Sequence, residues 1–340
     1  MKIGLVTIFN VPNYGAMLQC YSLCTYLQEL GHDVVLFDIP LSNRNSLKNR
    51  LKRITTLKFI DDFIGKYLPR ITDNLHEKCD LYLVGSDQVW NPDIVGDKLK
   101  EFLLDFAPED SCKASYASSI GITEWNHKEL NGKMKKLLGK FKHITVREDS
   151  AVELLKKEFN IYSEKVLDPS FLLPSNRLEN LLIENEPSCE LVTFKLVYSY
   201  EWYLEARELS RKMKMKWTEL NPRLLKKYNE IKGLNIVSTS VERWVTIIAK
   251  SNFFITDSFH GCVFALLFKK QFVVVVGMKD RFTRIQSLLS ALSLEHRIVD
   301  SVVKAKDVFE NNVIDYDIVT KKIENLVFES KKQLDHILNL

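Results

Sequence analysis

Side chains that can do chemistry stand at a turn in the stretch FFITDSFHGCVFALLF, which runs from Phe253 to Phe268. The apolar residues on either side of the turn predict a strand followed by a helix, so Asp257 or Ser258 can cap the helix and His260 lies in its first turn. Gly261 lets another group approach the backbone closely. The start of a helix attracts anions, and a histidine beside it can transfer a proton. This combination suits a phosphate ester. The alternative is a histidine that only forms hydrogen bonds within its turn.

Arg147 stands at a similar junction, where the apolar run His143 to Val146 gives way to a helix with an acidic first turn. A guanidinium group there can hold a carboxylate or a phosphate through two parallel hydrogen bonds. It can equally form an ion pair with Glu148 or Asp149 at the start of the helix. The sequence leaves both interpretations open.

Two further cations and a glycine turn lie beside other predicted strands. Arg281 and Arg284 follow the apolar strand Phe272 to Val276 and can contribute to an anion site. The turn Asn13-Tyr14-Gly15 separates the first predicted strand from the first helix. Because this turn lacks the three glycines of a dinucleotide-binding fingerprint, it indicates only a contribution to donor or acceptor binding.

A turn rich in hydrogen-bonding groups, VGSDQVWNP, follows another strand. Ser86, Asp87 and Gln88 can bind sugar hydroxyls, and the ring of Trp90 can lie beneath a sugar. In the second interpretation Trp90 is buried and supports the turn.

Predicted strands and helices alternate along the chain, which is typical of parallel sheets covered by helices. The predicted strands are Lys2–Phe9, Val34–Asp38, Leu81–Val84, Ala114–Ala117, His143–Val146, Lys165–Leu167, Leu191–Val197, Asn235–Val237, Phe253–Thr256 and Phe272–Val276. The predicted helices are Ala16–Leu30, Trp125–Leu138, Asp149–Phe159, Trp202–Met213, Ser240–Lys250 and Phe259–Phe268. The polar turns described above therefore fall at the carboxyl ends of strands, where ligands bind in this architecture.

The length of 340 residues predicts two lobes, and the segment from Asp168 to Arg177 is the best candidate for the linker. We expect an α/β fold with two Rossmann-like lobes and a cleft between them. The first lobe covers 1–175 and the second 176–312, and one or two closing helices cover 313–340.

Composition excludes several classes of protein. Hydrophobic residues make up 46% of the chain and charged residues 27%, which is typical of globular proteins. The net charge of +4 is too small to indicate a nucleic-acid binder, and basic residues are not interleaved with aromatic ones. Scattered cysteines without a CxxC pair indicate free thiols in a reducing cytoplasm and no metal site. No apolar run is long enough for a transmembrane helix, and the N-terminus resembles a first strand more than a signal peptide.

Residues 44–64 combine apolar positions three or four apart with several Arg and Lys residues. This pattern predicts an amphipathic basic helix, which can lie on anionic lipid at the inner face of the membrane. The favoured interpretation is a surface helix packed on its own lobe.

Five segments, in this order, resemble the motifs of the polysaccharide pyruvyl transferase family. They are NYGAMLQ at 13–19, GSDQVWN at 85–91, VRE at 146–148, DPS at 168–170 and TDSFHG at 256–261. The likeness spans roughly the first 290 residues, and the ordered set is far more specific than any single motif.

This resemblance implies a fold similar to GT-B glycosyltransferases, with phosphoenolpyruvate as the donor. The implied acceptor is a sugar of a capsule or other cell-surface polysaccharide, or its lipid-linked precursor, which receives pyruvate as a cyclic ketal across two hydroxyls. The donor-binding arginine of the family matches Arg147, and its motif histidine matches His260. Many members carry arginine two positions before that histidine, where this chain has Ser258. One donor cation is therefore missing, and Arg284 or Arg281 can replace it.

Together, the residues and the resemblance predict His260 as the general acid and Arg147 as a ligand of the donor, in the company of Ser258 and Gly261. Asp87 would orient or deprotonate the acceptor hydroxyl in the first lobe, and the donor would bind to the second. No cofactor or metal is expected, because arginines and helix N–H groups can neutralise the phosphate. The alternatives are a nucleotide-sugar glycosyltransferase and a non-catalytic sugar-binding homologue, since fold does not fix function.

Overall fold

The computed structural model describes residues 1–41, 57–196, 199–220, 235–236, 240–276 and 279–340. The chain folds into two compact units. The first consists of Met1–Leu173 and Glu324–Leu340, and the second of Pro174–Ile323. Each unit contains one sheet in which all the described strand pairs are parallel, so the predicted α/β class with two parallel-sheet lobes is confirmed.

The first sheet has seven strands in the order β3-β2-β1-β4-β5-β6-β7. The strands are β1 Lys2–Val6, β2 Asp33–Phe37, β3 Ile71–Thr72, β4 Leu81–Val84, β5 Cys112–Ser118, β6 His143–Val146 and β7 Glu164–Lys165. The order of the strands reverses between β1 and β4. In sheets of this kind, ligands bind outside the carboxyl ends of the strands at such a reversal.

The second sheet repeats this topology with six strands in the order β10-β9-β8-β11-β12-β13. The strands are β8 Cys189–Phe194, β9 Trp217–Glu219, β10 Asn235–Ile236, β11 Ser251–Thr256, β12 Gln271–Val275 and β13 Ile298–Val299. Here the strand order reverses between β8 and β11. The central strands of both sheets are apolar and buried, as expected where helices cover both faces.

The helices follow the strands in alternation. In the first unit they are α1 Tyr14–Glu29, α2 Lys58–Tyr67, α3 Pro92–Val95, α4 Leu99–Phe102, α5 Asn131–Leu138 and α6 Asp149–Leu154. In the second unit they are α7 Ser175–Glu179, α8 Tyr200–Met213, α9 Val241–Ala249, α10 Phe259–Leu267, α11 Lys279–Ala291 and α12 Ala305–Asn311. The last helix, α13 Tyr316–Leu338, begins in the second unit and ends in the first.

Several predicted boundaries differ from the structure. The helix predicted from Trp125 begins as a 3₁₀ turn, Lys128–Leu130, and becomes α-helical only at Asn131, whose side-chain oxygen accepts a hydrogen bond from the Trp125 indole. The strand predicted over Leu191–Val197 ends at Phe194. The short strands β3, β9 and β13 were not predicted, because two or three residues carry no readable alternation.

Most of the predicted basic helix lies outside the described residues, which omit 42–56. Its end falls in α2, which buries Ile60 and Phe63. Within the described part of the chain, no helix combines the length and the hydropathy needed to cross a bilayer.

Candidate functional site

An ion-pair network occupies the carboxyl ends of the strands in the first unit. We call it the Arg147 network; its members are Ser86, Asp87, Arg147 and Asp168. Arg147, which directly follows β6, donates a hydrogen bond from Nη1 to Asp168 Oδ2 at 2.7 Å. Its Nη2 lies 3.5 Å from Asp87 Oδ1. Ser86 joins the same group, because its hydroxyl donates to Asp168 Oδ2 at 3.1 Å and accepts from Arg147 Nη1 at 3.2 Å.

The guanidinium of Arg147 is almost inaccessible. Its side chain is 1% exposed, and that of Asp168 is 0% exposed. Burial alone would lower the pKa of Arg147, but the charges of Asp168 and Asp87 outweigh burial and raise it. The sequence suggested either an anion ligand or an ion pair with Glu148 or Asp149. The structure pairs Arg147 with two carboxylates that are distant in sequence, Asp168 and Asp87.

Hydrogen bonds extend the Arg147 network to the first motif segment. The Thr7 hydroxyl donates to the backbone oxygen of Ser86 at 2.7 Å and accepts from Gln19 Nε2 at 3.0 Å. Gln19 Nε2 also donates to the backbone oxygens of Ile8 and Ala16. The four motif segments of the first unit, which are spread over more than 150 residues, thus meet in one buried polar cluster.

Glu148 adds a further buried negative charge beside the Arg147 network. Its Oε1 accepts hydrogen bonds from the Ser119 hydroxyl at 2.8 Å and from the backbone N–H groups of Ile120 and Gly121 at 3.1 and 3.0 Å. The network and its neighbour therefore contain one guanidinium and three carboxylates, counting Asp87, Asp168 and Glu148. This excess of negative charge disfavours an anion and suits a ligand that donates hydrogen bonds.

Asp87 is held in a strained backbone conformation. Its φ of 74° lies in the left-handed region, which non-glycine residues rarely adopt. Its backbone oxygen accepts hydrogen bonds from the N–H groups of Val89 and Ser119 and thereby connects the turn after β4 to the end of β5. Such strain persists where the surrounding structure enforces it, and it is frequent at functional sites.

The neighbours of Asp87 in its motif have packing roles. Trp90 is 0% exposed and donates from Nε1 to the backbone oxygen of Phe102 at 3.0 Å. This geometry corresponds to the interpretation as a buried support of the turn, and it corrects the prediction of a sugar platform, since no ligand can reach the ring. Gln88 packs on Gly121, where an added Cβ would lie 2.0 Å from Gln88 Nε2.

The glycine turn predicted to bind a ligand forms the start of α1. The Asn13 side chain accepts hydrogen bonds from the backbone N–H groups of Gly15 and Ala16 at 3.1 and 3.4 Å, which makes it the N-cap. The ring of Tyr14 lies 5.4 Å from that of Phe59. Asn13, Tyr14 and Gly15 thus have structural contacts, and their predicted part in ligand binding stays a prediction.

The second unit has its own cluster at the strand-order reversal. We call it the α10 corner; its members are Lys195, Asp257, Ser258, His260 and Arg284. Ser258 caps α10, because its hydroxyl accepts from the Gly261 N–H at 3.2 Å. His260 follows in the first turn of this helix and is 6% exposed. An added Cβ on Gly261 would lie 2.7 Å from Thr256 Oγ1, so glycine allows the helix to approach β11.

The two predicted arginines of this unit lie in α11. The Arg284 guanidinium carbon is 5.7 Å from the ring centroid of Phe259, and the rings of Phe259 and His260 pack in a T-shaped arrangement with their centroids 5.3 Å apart. The structure therefore brings Arg284 to the first turn of α10. Arg281 belongs to the same helix, but its side chain lies outside the described part of the structure.

Lys195 is a member of the α10 corner that sequence reasoning missed. Its Nζ lies 3.3 Å from Asp257 Oδ2, and Asp257 Oδ1 accepts from the Leu196 N–H at 2.8 Å. Burial raises the pKa of Asp257, while the charge of Lys195 acts in the opposite direction. Glu219 ends β9, the strand on the other side of β8 from β11, and accepts a hydrogen bond from the Thr193 hydroxyl at 2.5 Å.

Several solved structures share the fold of this chain. The chain is similar to S. aureus MnaA in its UDP co-structure, with 12% identity, a TM-score of 0.58 and coverage of 99% of this chain and 95% of that one. It is also similar to Arabidopsis thaliana UGT89C1, with 10% identity, a TM-score of 0.56 and coverage of 99% and 98%. A third is Methanocaldococcus jannaschii UDP-GlcNAc 2-epimerase, with 12% identity, a TM-score of 0.54 and coverage of 96% and 100%. At such low identity these likenesses show the fold alone, which is that of the GT-B glycosyltransferases and epimerases.

Sequence comparison identifies the family. A search among curated proteins gives no significant match. A family profile described as polysaccharide pyruvyl transferase matches residues 13–277, which is well over half of the chain. The matched region contains both the Arg147 network and most of the α10 corner. The chain therefore belongs to the polysaccharide pyruvyl transferase family.

Proposed function

We propose that this protein transfers the pyruvyl group of phosphoenolpyruvate to two hydroxyls of a sugar in a cell-surface polysaccharide or its lipid-linked precursor. The products are a cyclic ketal and phosphate. The observation that carries the proposal is the composition of the α10 corner, where His260 and Arg284 both contact Phe259 at the first turn of a helix. A donor with a carboxylate and a phosphate needs cations and a proton donor in one place. Membership of the family supports this choice of donor.

The Arg147 network suits the acceptor. Sugar hydroxyls are neutral and donate hydrogen bonds, so buried carboxylates attract them and repel a phosphate. Arg147 then acts through Asp87, holding this carboxylate from 3.5 Å, and does not contact the donor itself. We therefore assign Arg147 as a positioning residue, which revises the role expected from the sequence.

The steps of the reaction balance without a further reactant. His260 donates a proton to the methylene carbon of phosphoenolpyruvate, and the first sugar hydroxyl adds to the adjacent carbon as Asp87 takes its proton. The C–O bond to phosphate then breaks, and the second hydroxyl adds to the same carbon to close the ketal. The new methyl group keeps the proton given by His260, the leaving phosphate carries off the hydroxyl proton taken by Asp87, and the proton of the second hydroxyl restores His260, so both residues are regenerated.

Ligand-induced stabilisation tests the identity of the donor. A ligand at a hundred times its Kd adds about 2.7 kcal/mol to the free energy of unfolding. We expect phosphoenolpyruvate to raise the unfolding temperature, and pyruvate, which lacks the phosphate, to raise it less. Stabilisation by UDP-sugars or GDP-sugars alone would contradict the proposal and indicate a nucleotide-sugar glycosyltransferase.

Phosphate release tests the chemistry. The acceptors are glycans and lipid-linked oligosaccharides extracted from cells that lack the gene. We expect His260→Gln to lower the rate of phosphate release by roughly 10²- to 10⁴-fold, the usual contribution of a general acid. The matched control is His296→Gln, because His296 is an exposed histidine of the same unit. Binding of phosphoenolpyruvate by the unmodified protein without any phosphate release would indicate a non-catalytic homologue.

A further inference from the structure

The Lys195–Asp257 ion pair lies where ligands bind in sheets of this topology. Strands β8 and β11 are neighbours, and Phe194 lies opposite Thr256 in their register. Lys195 and Asp257 are the first residues after β8 and β11, so the pair stands at the carboxyl ends of these two strands, between which the strand order reverses. In open α/β sheets the ligand crevice forms at this position.

The stability of the fold does not explain this ion pair. The side chains of Lys195 and Asp257 are 7% and 6% exposed. Removing two charges from water costs about as much as their attraction returns, so apolar residues of the same volume often stabilise a protein as much as a buried ion pair or more. The raised pKa of Asp257 also indicates that the pair adds little stability, because burial disfavours the carboxylate even with a lysine beside it.

Trp202 provides a second, independent observation at this position. The Lys195 ammonium lies 5.3 Å from the centroid of the Trp202 ring, in a cation–π arrangement. The indole Nε1 of Trp202 is buried and has no hydrogen-bond partner among the residues that the structure describes. Buried N–H donors are nearly always paired, so this indole is able to donate to an acceptor of a bound ligand.

We propose that Lys195 binds an anionic group of the donor and supplies the positive charge that the uncharged Ser258 at the start of α10 lacks. The inference rests on the proposed function and specifies its donor site. Ser258 cannot contribute a charge, and its hydroxyl is engaged in capping α10. Lys195 approaches the same turn from the neighbouring strand, through contact with Asp257, the residue that precedes Ser258.

Asp257 gives the inference a consequence that a structural ion pair would not have. In the absence of donor the carboxylate neutralises the ammonium, and it competes with the donor for that charge. Removal of this carboxylate therefore strengthens anion binding if Lys195 is a ligand. If the pair only stabilises the fold, the same change leaves binding unchanged or weakens it.

Calorimetric titration of four variants with phosphoenolpyruvate and with inorganic phosphate tests the inference. Hydrogen bonds to charged groups contribute about 10- to 100-fold to an equilibrium, so we expect Lys195→Met to raise the Kd of phosphoenolpyruvate by that factor. Asp257→Asn lowers the Kd, and Lys195→Met/Ser258→Arg restores it towards that of the unmodified protein. The matched control is Lys304→Met, because Lys304 forms an exposed ion pair with Asp300 in the same unit and should leave the Kd unchanged.

A folded Lys195→Met variant with an unchanged Kd for both anions overturns the inference while leaving the proposed function intact. If Lys195→Met alone fails to fold, Lys195→Met/Asp257→Asn removes both charges. Its Kd must then exceed that of Asp257→Asn, and equal values overturn the inference. If the unmodified protein binds inorganic phosphate through Lys195 but does not bind phosphoenolpyruvate, the anion site stands and the proposed function fails. If it binds neither anion, both fail.

Discussion

Replacement of Arg147 by methionine distinguishes a positioning residue from a donor ligand. The substitution removes a guanidinium that contacts both Asp168 and Asp87, and it leaves the fully buried Asp168 carboxylate without this counter-charge. Breaking a buried ion pair by removing one partner costs about 3–5 kcal/mol. For a unit of this size each kcal/mol lowers the unfolding temperature by roughly 2–4 °C, so we expect a loss of roughly 6–20 °C.

Scanning calorimetry measures this loss of unfolding temperature, and two further variants serve as comparisons. Arg147→Met/Asp168→Asn removes the buried charge along with its partner and should recover part of the lost stability. Lys165→Met breaks an exposed ion pair with Asp149 in the same unit and should cost only about 0–1 kcal/mol. The reasoning is refuted if Arg147→Met unfolds at the temperature of the unmodified protein and yet no longer binds phosphoenolpyruvate. That result would make Arg147 the donor ligand expected from the sequence.

Three more predictions concern individual residues of the two sites. Asp87→Asn should lower the unfolding temperature less than Arg147→Met, because Arg147 keeps its contact with Asp168, and it should lower phosphate release by roughly 10²- to 10⁴-fold; full turnover would exclude Asp87 from the reaction. Gly261→Ala should lower the free energy of unfolding by about 1–3 kcal/mol, because the added Cβ meets Thr256 Oγ1. Gly65→Ala in α2 should not, because no atom lies within 4 Å of its added Cβ. Denaturant unfolding compares the two variants, and equal effects would contradict the packing argument. Burial raises the pKa of Asp257 above 3.8, so its neutral form favours folding below that pH and this contribution is lost as the pH rises through the raised pKa. Just above pH 3.8, the free energy of unfolding should therefore fall less steeply with pH in Asp257→Asn than in the unmodified protein. Equal slopes in the two proteins would contradict the raised pKa of Asp257.

The sequence located the strand ends of the site because apolar runs flank each polar turn. His260, Ser258 and Asp87 lie at the carboxyl ends of β11 and β4, as the pattern of apolar and polar residues predicts. The repeated strand order and its two reversals could not be predicted from the sequence, since the order depends on contacts between strands far apart along the chain. The fold class was nevertheless accessible, because alternation of strands and helices is a local property.

Local sequence patterns did not predict the partners of the charged residues. Arg147 pairs with Asp168, which is 21 residues away and belonged to a segment interpreted as a linker. Lys195 was missed because the apolar run Leu191 to Val197 predicts a strand through it, whereas β8 ends at Phe194 and leaves Lys195 at the carboxyl end. Trp90 illustrates the opposite error, since an aromatic ring beside polar residues has the same local pattern whether a ligand or the core covers it.

Mass spectrometry of the surface glycan tests the central claim most directly, because it works without identifying the acceptor beforehand. Glycan is compared among the parent strain, a strain that lacks the gene, and the latter strain complemented with either the unmodified gene or His260→Gln. We predict that loss of the gene removes a substituent with the mass of one pyruvate less one water. The unmodified gene should restore this substituent, and His260→Gln should not. Identical glycans in the parent strain and in the strain that lacks the gene would contradict the assignment as a pyruvyl transferase.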